Sequence, residues 1–234
     1  MNKLFFISSI FFCISCNSEK GNSVEETPSA DSSRVASTYA SPPAISPKNY
    51  DYDTTEWSEL INLDSSIIMD LRYATTNNFV LEKMYDCPRC FLRPVVAEAM
   101  VEANRLLKKR KLRIKMFDCY RPRPIQQKLW KKIPDPRYVA NPEKGSMHNR
   151  GVAVDVTIVK ENGEELEMGT PFDYFGKKAY QYYKNLPDSV LTNRRLLRKT
   201  MHKVGLNTIK TEWWHFSYQI KEFPISDFLW NCPE

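Results

Sequence analysis

The chain contains only three histidines, His148, His202 and His215, and two of them lie in company that could support chemistry. Ser146-Met147-His148-Asn149-Arg150-Gly151 leads into Val152–Val159, an apolar run broken only by Asp155 and Thr157. An ionised carboxylate inside an apolar strand is costly unless a cation or a hydrogen-bond network receives it. Glu212-Trp213-Trp214-His215 then places a second carboxylate three residues before the other histidine. His148, Asp155 and His215 together form a His₂Asp set suited to zinc, and three protein ligands with an open fourth position mark a catalytic rather than a structural ion. Two neutral imidazoles and one carboxylate leave the ion a net positive charge, which acidifies water and polarises a carbonyl. Glu212 is placed to take a proton from the attacking water and pass it to a leaving amine. Residues three apart in a straight strand face opposite sides, so Glu212 and His215 require a turn or bulge between them. A lone buried Asp is usually a hydrogen-bond acceptor and a lone His a packing or surface residue, but here each supplies the partners the other lacks. His202, between Met201 and Lys203 with no carboxylate pattern, reads as a surface or helix-end residue.

The elements that must hold these residues are legible from periodicity. Val96, Ala99, Met100, Ala103, Leu106 and Leu107 recur at helical spacing, predicting a helix over 94–109 entered by Pro94. Leu112, Ile114 and Met116 alternate as a strand that runs into Asp118-Cys119-Tyr120-Arg121-Pro122. Ile125, Leu129 and Ile133 support a second helix, and 152–159 reads as a buried strand. Residues 189–204 fit a third helix, with Gly205 just past its end, and Phe216, Tyr218 and Ile220 alternate as a final strand. The expected architecture is one α+β domain over 56–234, with a small, mostly antiparallel sheet holding the metal site and helices flanking it.

The rest of the 234 residues is address and tether. Residues 1–15 carry one charge, Lys3, and an apolar run too short to span a bilayer, which reads as a secretory signal. Ile14-Ser15-Cys16 resembles a bacterial lipoprotein processing site, making Cys16 the expected lipidation point, with an ordinary cleaved signal as the alternative. Either reading exports the protein, to the periplasm or, as an anchored lipoprotein, to the cell surface. Residues 16–55 are Ser-, Pro- and acid-rich without apolar periodicity, a flexible linker with three basic against six acidic side chains. The formal charge of +6 therefore understates the folded part, which carries +8 once the linker's −3 and Lys3 are set aside. That surplus lies in Lys108-Lys109-Arg110-Lys111 and Arg194-Arg195 with Arg198-Lys199, on helix ends and outer faces. No stacking or groove-reading motif accompanies it, so no nucleic-acid partner is expected. Four cysteines remain as thiols after processing, Cys87, Cys90, Cys119 and Cys232, which allow three pairings; one structural disulfide is expected. Cys87-Pro88-Arg89-Cys90 stands alone, with neither a second pair nor a thioredoxin-like unit around it.

Taken together, Ser146-x-His148-x-x-Gly151-x-Ala153-x-Asp155 and Glu212-Trp213-Trp214-His215 resemble the zinc D-alanyl-D-alanine dipeptidases, the VanX-like D-Ala-D-Ala metallopeptidases. The resemblance extends from about Ile67 to Tyr218 through Tyr73-Ala74-Thr75-Thr76-Asn77-Asn78-Phe79, Asp118–Pro122, Met168–Asp173 and Asn193–Leu197. It implies one zinc per chain on His148, Asp155 and His215, Glu212 as general base and acid, and Arg121 as the oxyanion donor. It further implies that Asp173 holds the dipeptide's ammonium group and that Tyr73 and Ser146 line the pocket. The implied partner is a small D,D-dipeptide, with no obligate protein partner. One departure is Cys119, where the family pattern has Gly; a side chain there would narrow the pocket beside Arg121. Two other readings are a carboxypeptidase or endopeptidase acting on peptidoglycan peptides, which would need a longer groove without an ammonium clamp, and a non-catalytic metal-binding lipoprotein, which would need neither Glu212 nor Arg121.

Overall fold

The computed structural model describes residues 49–219 and 223–232. In chain order the elements are β1 (Ser58–Glu59), α1 (Leu60–Leu63), β2 (Ile68–Met69), β3 (Phe91–Leu92), α2 (Pro94–Lys108), β4 (Leu112–Asp118), α3 (Arg123–Lys132), β5 (Ala153–Lys160), α4 (Asp188–Lys203), β6 (Asn207–Thr208) and β7 (His215–Ser217). The apolar run around Asp155 becomes β5, the middle strand of a five-stranded sheet ordered β2-β4-β5-β7-β6. Only β2–β4 is parallel; the other pairs are antiparallel, as is the separate β1–β3 pair. The fold is α+β, as the patterning predicts. The proposed signal segment, Cys16, most of the linker and Ile220 lie outside the described residues.

Because side chains alternate across a strand, β5 divides its residues between two environments. Val154, Val156 and Ile158 enter the apolar cluster that also holds Ile114 and Met116 of β4, Val96, Met100, Ala103 and Leu107 of α2, and Leu197 and Met201 of α4. These helix positions repeat at three and four residues, so each helix buries one stripe against the sheet. Asp155 and Thr157 point to the other face. The ladder pairs Ile114 with Ile158 and Met116 with Val156, but the next pair joins Asp118 to Asp155, with the register shifting between Met116 and Asp118. Phe117 is thus the extra residue of a bulge. Without it, strict alternation would turn Phe117 toward the face of Asp155 and send Asp118 into the core.

Two features differ from the sequence reading. The cysteines form two disulfides, Cys87–Cys232 and Cys90–Cys119, rather than one, and neither closes the C-x-x-C segment on itself. The folded part also begins before residue 56: Arg89 donates to Asp51 at 2.6 and 2.8 Å, and the Tyr52 ring meets Phe91 edge-on at 5.0 Å. Polarity and the lack of period hid these contacts, because they are made by one ion pair and one ring. The C-terminal segment returns across the domain. Ser226 N–H donates to the Asn149 carbonyl at 2.9 Å, Tyr120 Oη donates to the Phe228 carbonyl at 3.0 Å, and the Phe228 ring stacks on Trp57.

The Cys87–Cys232 bond closes a loop of 145 residues, so removing it should cost about 2–5 kcal/mol of folding free energy. Urea unfolding should give the same loss for Cys87→Ser, Cys232→Ser and the double variant, and a double variant clearly less stable than either single one would show that the two sulfurs are not bonded to each other.

Candidate metal centre and active site

Three adjacent strands bring three polar residues into one row. Asp118 of β4 stands opposite Asp155 of β5, which stands opposite His215 of β7, so all three side chains leave the same face of the sheet. His148 reaches this row from a short 3₁₀ turn, His148–Arg150, that closes at Gly151 with φ +72°. A Cβ at Gly151 would lie 2.5 Å from the Trp57 ring, so both the backbone angle and the space demand glycine. The His148 ring is oriented by its Nδ1–H, which donates to the Cys119 carbonyl at 2.7 Å. That bond leaves Nε2 as the free lone pair of the neutral ring, turned toward the row.

The three sequence-predicted ligands meet there. His148 Nε2 lies 3.1 Å from His215 Nδ1 and 3.3 Å from Asp155 Oδ1, and His215 Nδ1 lies 3.0 Å from Asp155 Oδ1. All three side chains are buried. A tetrahedral zinc with bonds of about 2.0–2.2 Å separates its donors by about 3.3–3.6 Å, close to this triangle. The donor chemistry agrees. With Nδ1–H spent on Cys119, the lone pair of His148 Nε2 faces a carboxylate oxygen, an arrangement that a cation relieves. Burial disfavours the Asp155 charge, yet His148 and His215 beside it hold its carboxyl well below the usual carboxylate range. The residues present fit a divalent cation with three protein ligands.

Around the triangle stand the other residues. Arg121 is nearly buried and clamped: its Nε and Nη2 donate to Asp118 Oδ2 at 3.0 and 2.6 Å, and its Nη1 donates to Gln126 Oε1 at 3.0 Å. Asp118 is held in turn by Tyr85 Oη, which donates at 2.9 Å. The Tyr73 ring lies 4.7 Å from the Arg121 guanidinium carbon, and its hydroxyl donates to Asp173 Oδ2 at 3.1 Å. Tyr73 therefore spans the gap between Arg121 and Asp173. Asp173 adopts φ +58°, a left-handed conformation that Asp tolerates better than most residues and that aims its carboxylate inward. Burial, with Asp155 nearby, pushes the Asp173 carboxyl well above its usual range; a substrate cation there would restore its charge.

Glu212 sits in the bend before β7, with Oε2 4.0 Å from His215 Nδ1. The turn that the spacing required is present. Burial raises its carboxyl above the ordinary value, with His215 and His148 pulling the other way. A cavity of about 680 Å³ opens beside Glu212 between Tyr138, Tyr174, Phe175, Lys177 and Tyr180. Ser146 is less central than expected, because its hydroxyl is engaged within its own turn: Oγ donates to Asn149 Oδ1 at 3.1 Å and accepts from Asn149 N–H at 3.3 Å. Cys119 does not narrow the pocket with a free thiol, since its sulfur is bonded to Cys90. His202 stands apart, at the end of α4.

Sequence reasoning missed the roles of Asp118, Gln126 and Asn149. The Asn149 side chain accepts the Ser146 N–H at 2.7 Å and donates to the Arg121 carbonyl at 2.7 Å, sewing the His148 turn to the Arg121 segment. For Asp118 a signal existed, a carboxylate closing an apolar strand three residues before an arginine. Nothing in the spacing announces Gln126 or Asn149.

A buried His₂Asp triangle, a carboxylate beside it and a fixed guanidinium, on an α+β sheet, define a metallopeptidase. The match to known proteins narrows this further: the model of the peptidase M15 D-Ala-D-Ala dipeptidases fits residues 53–228, and the chain belongs to that family. It is 33% identical over 181 residues to the D-alanyl-D-alanine dipeptidase of Escherichia coli, covering 77% of this chain and 94% of that protein. The Enterococcus faecalis D-alanyl-D-alanine dipeptidase is 28% identical over 183 residues, 69% of this chain and 90% of its own. That of Enterococcus faecium is 26% identical over 180 residues, 68% and 89%. The protein is a peptidase acting on D-Ala-containing peptides.

Binding a metal to the folded state alone raises stability by about 2.7 kcal/mol at a hundredfold excess over Kd, or about 5–10 °C in a domain this size. Dialysis against chelator should lower the melting temperature by that order and added zinc should restore it. Asp155→Asn should abolish the zinc-dependent rise; an unchanged rise would remove Asp155 from the ligand set.

Proposed function

We propose that the protein is an exported zinc dipeptidase that hydrolyses free D-alanyl-D-alanine to two molecules of D-alanine during turnover of cell-wall peptides. The observation that carries this reading is the approach of His148, Asp155 and His215 within 3.0–3.3 Å, with Glu212 and Arg121 beside them. His148 Nε2, Asp155 Oδ1 and His215 Nδ1 would hold the zinc, which when bound acidifies water and polarises the scissile carbonyl.

The chain's own groups supply the remaining work. Glu212, raised in pKa by burial, takes a proton from the attacking water and delivers it to the departing amine nitrogen. The Arg121 guanidinium donates to the carbonyl oxygen as negative charge develops on it. Asp118 and Gln126 hold that guanidinium before substrate arrives, so no reorganisation is needed during reaction. Asp173, steadied by the Tyr73 hydroxyl, binds the free ammonium and thereby limits the substrate to an unblocked amino terminus. This clamp favours a dipeptidase over a carboxypeptidase on blocked stem peptides, where no ammonium is present.

The lipoprotein pattern at Ile14-Ser15-Cys16 supports attachment of Cys16 to a membrane lipid after export, and the two disulfides fit an oxidising compartment. An exported enzyme meets dipeptide released from the wall rather than the cytoplasmic pool, which points to salvage of D-Ala. Cys16→Ser should eliminate labelling by radioactive fatty acid in cells, and persistent labelling would place the lipid elsewhere.

Purified protein should release D-Ala from D-Ala-D-Ala and leave N-acetyl-D-Ala-D-Ala intact; cleavage of the blocked substrate alone would overturn the dipeptidase reading. Glu212→Ala should bind zinc normally and lose turnover. Arg121→Lys should lose about 3–4 kcal/mol of transition-state stabilisation, roughly 10²–10³ in kcat, with the zinc-dependent melting shift intact.

A further inference from the structure

Asp173 lies in a turn on a long irregular connection between β5 and α4 whose one helical segment is a short 3₁₀ turn at Lys177–Ala179. Such a segment holds a charged side chain in place only if something fixes its ends. The stretches before and after Asp173 both return to one side chain, Arg194 of α4. Its Nε donates to the Met168 carbonyl at 2.7 Å, its Nη2 to the Lys178 carbonyl at 3.0 Å and its Nη1 to the Tyr180 carbonyl at 3.2 Å. Arg194 is 2% exposed, and among the described residues no carboxylate pairs with it. Burial pulls its pKa down to about 10, so it stays protonated at neutral pH.

A buried guanidinium without an anion is costly, and packing alone does not require one. The same connection already rests on α4 through Gly169, at φ +82°, where a Cβ would come within 2.9 Å of Val190. What the guanidinium adds is direction, because its rigid fork fixes three carbonyls in one plane where a flexible ammonium would not. The connection is also tied to the segment that bears Glu212. The Arg194 guanidinium lies 5.8 Å from the Trp213 ring, Trp213 Nε1–H donates to Thr170 Oγ1 at 2.8 Å, and Gln181 N–H donates to the Lys210 carbonyl at 3.0 Å. One side chain thus stands behind the carboxylate proposed to bind the ammonium and behind the segment that carries the proposed base.

We propose that Arg194 is a positioning residue for substrate selection: by holding Met168, Lys178 and Tyr180 together it sets the distance from Asp173 to the reacting centre, and so the requirement for a free amino terminus one residue from the scissile bond. The proposal rests on the reading of Asp173 given above.

The test uses the full chain with Arg194→Gln, Arg194→Lys and Asp173→Asn, measuring kcat and KM on D-Ala-D-Ala, the rate on N-acetyl-D-Ala-D-Ala, and the zinc-dependent melting shift. Arg194→Gln should raise KM for the free dipeptide by roughly tenfold or more while kcat changes by no more than about threefold. Its zinc-dependent melting shift should match that of the unaltered protein, and its preference for the free over the acetylated substrate should fall. Arg194→Lys, which keeps the charge but loses the fork, should lie between, and it serves if the Gln variant does not fold. Adding Arg194→Gln to Asp173→Asn should raise KM no further than Asp173→Asn alone, because both act through the same contact. An unchanged KM in the Arg194 variants, or a loss confined to stability and zinc binding, would overturn the proposal while leaving Asp173 in its role. If Asp173→Asn itself leaves KM unchanged, the ammonium reading fails and this proposal falls with it.

Discussion

The structure turns on a carboxylate in an expensive place. Asp155 sits on the middle strand of the sheet, 4% exposed; among the described residues its carboxylate accepts no backbone N–H and meets two imidazoles. Burying an unpaired charge there would cost several kcal/mol, so the ionised form requires positive charge in contact with it. His215 arrives by strand register and His148 by a turn that only glycine can close, with the Cys119 carbonyl fixing its tautomer. Each is a separate structural commitment, and all serve one point in space. The same register that places Val154 and Val156 in the core places Asp155 on the opposite face, so a strand central to the core is also one that bears the site.

Charge bookkeeping explains the wider arrangement. Asp118 is matched by Arg121, which leaves Asp155, Glu212 and Asp173 as three carboxylates in one recess. Burial and mutual repulsion raise Asp173 and Glu212, the signature of a site with too little positive charge. A divalent cation answers Asp155 and reduces the excess. An ammonium group at Asp173 answers much of the remainder, and a blocked amino terminus cannot. In the proposed reaction, selection of a free dipeptide would be electrostatic: an acylated substrate would leave Asp173 buried with the Tyr73 hydroxyl but no cation.

The legible part of the site was the part written in residue types. Asp155 interrupts an apolar run and Glu212 precedes His215 by a fixed interval, so both stand out against their neighbours. The helices were legible because Val96, Met100, Ala103 and Leu107 repeat with the helical period. What stayed hidden depends on contacts between distant segments or on a count of one residue. The bulge at Phe117 leaves no mark in the pattern Leu112-Ile114-Met116, yet it decides whether Asp118 meets Arg121 or enters the core. Arg194 looks like one more cation in a basic helix, and only its burial beneath three carbonyls distinguishes it from Arg195 beside it. The disulfide partners follow the same rule: Cys90 and Cys119 are joined because β3 lies beside the end of β4, where Tyr120 N–H donates to the Phe91 carbonyl at 2.9 Å.

The two disulfides fall where the ligand geometry is most exposed to slack. Cys119 lends its carbonyl to His148, and its sulfur is tied to Cys90 at the edge of the core. Cys232 is tied to Cys87 and anchors the returning C-terminal segment, whose Ser226 binds the carbonyl of Asn149, the residue after His148. His148 is the one ligand that comes from a turn rather than a strand, so it has no ladder to hold it. Crosslinks restrict the unfolded chain more than they strengthen any native contact. Here they also join the segments on both sides of the turn, which lets an irregular loop hold a ring nitrogen to the tolerance that a metal–ligand bond demands. The strand ligands need no such help, and none of the four bonded cysteines lies in β5 or β7.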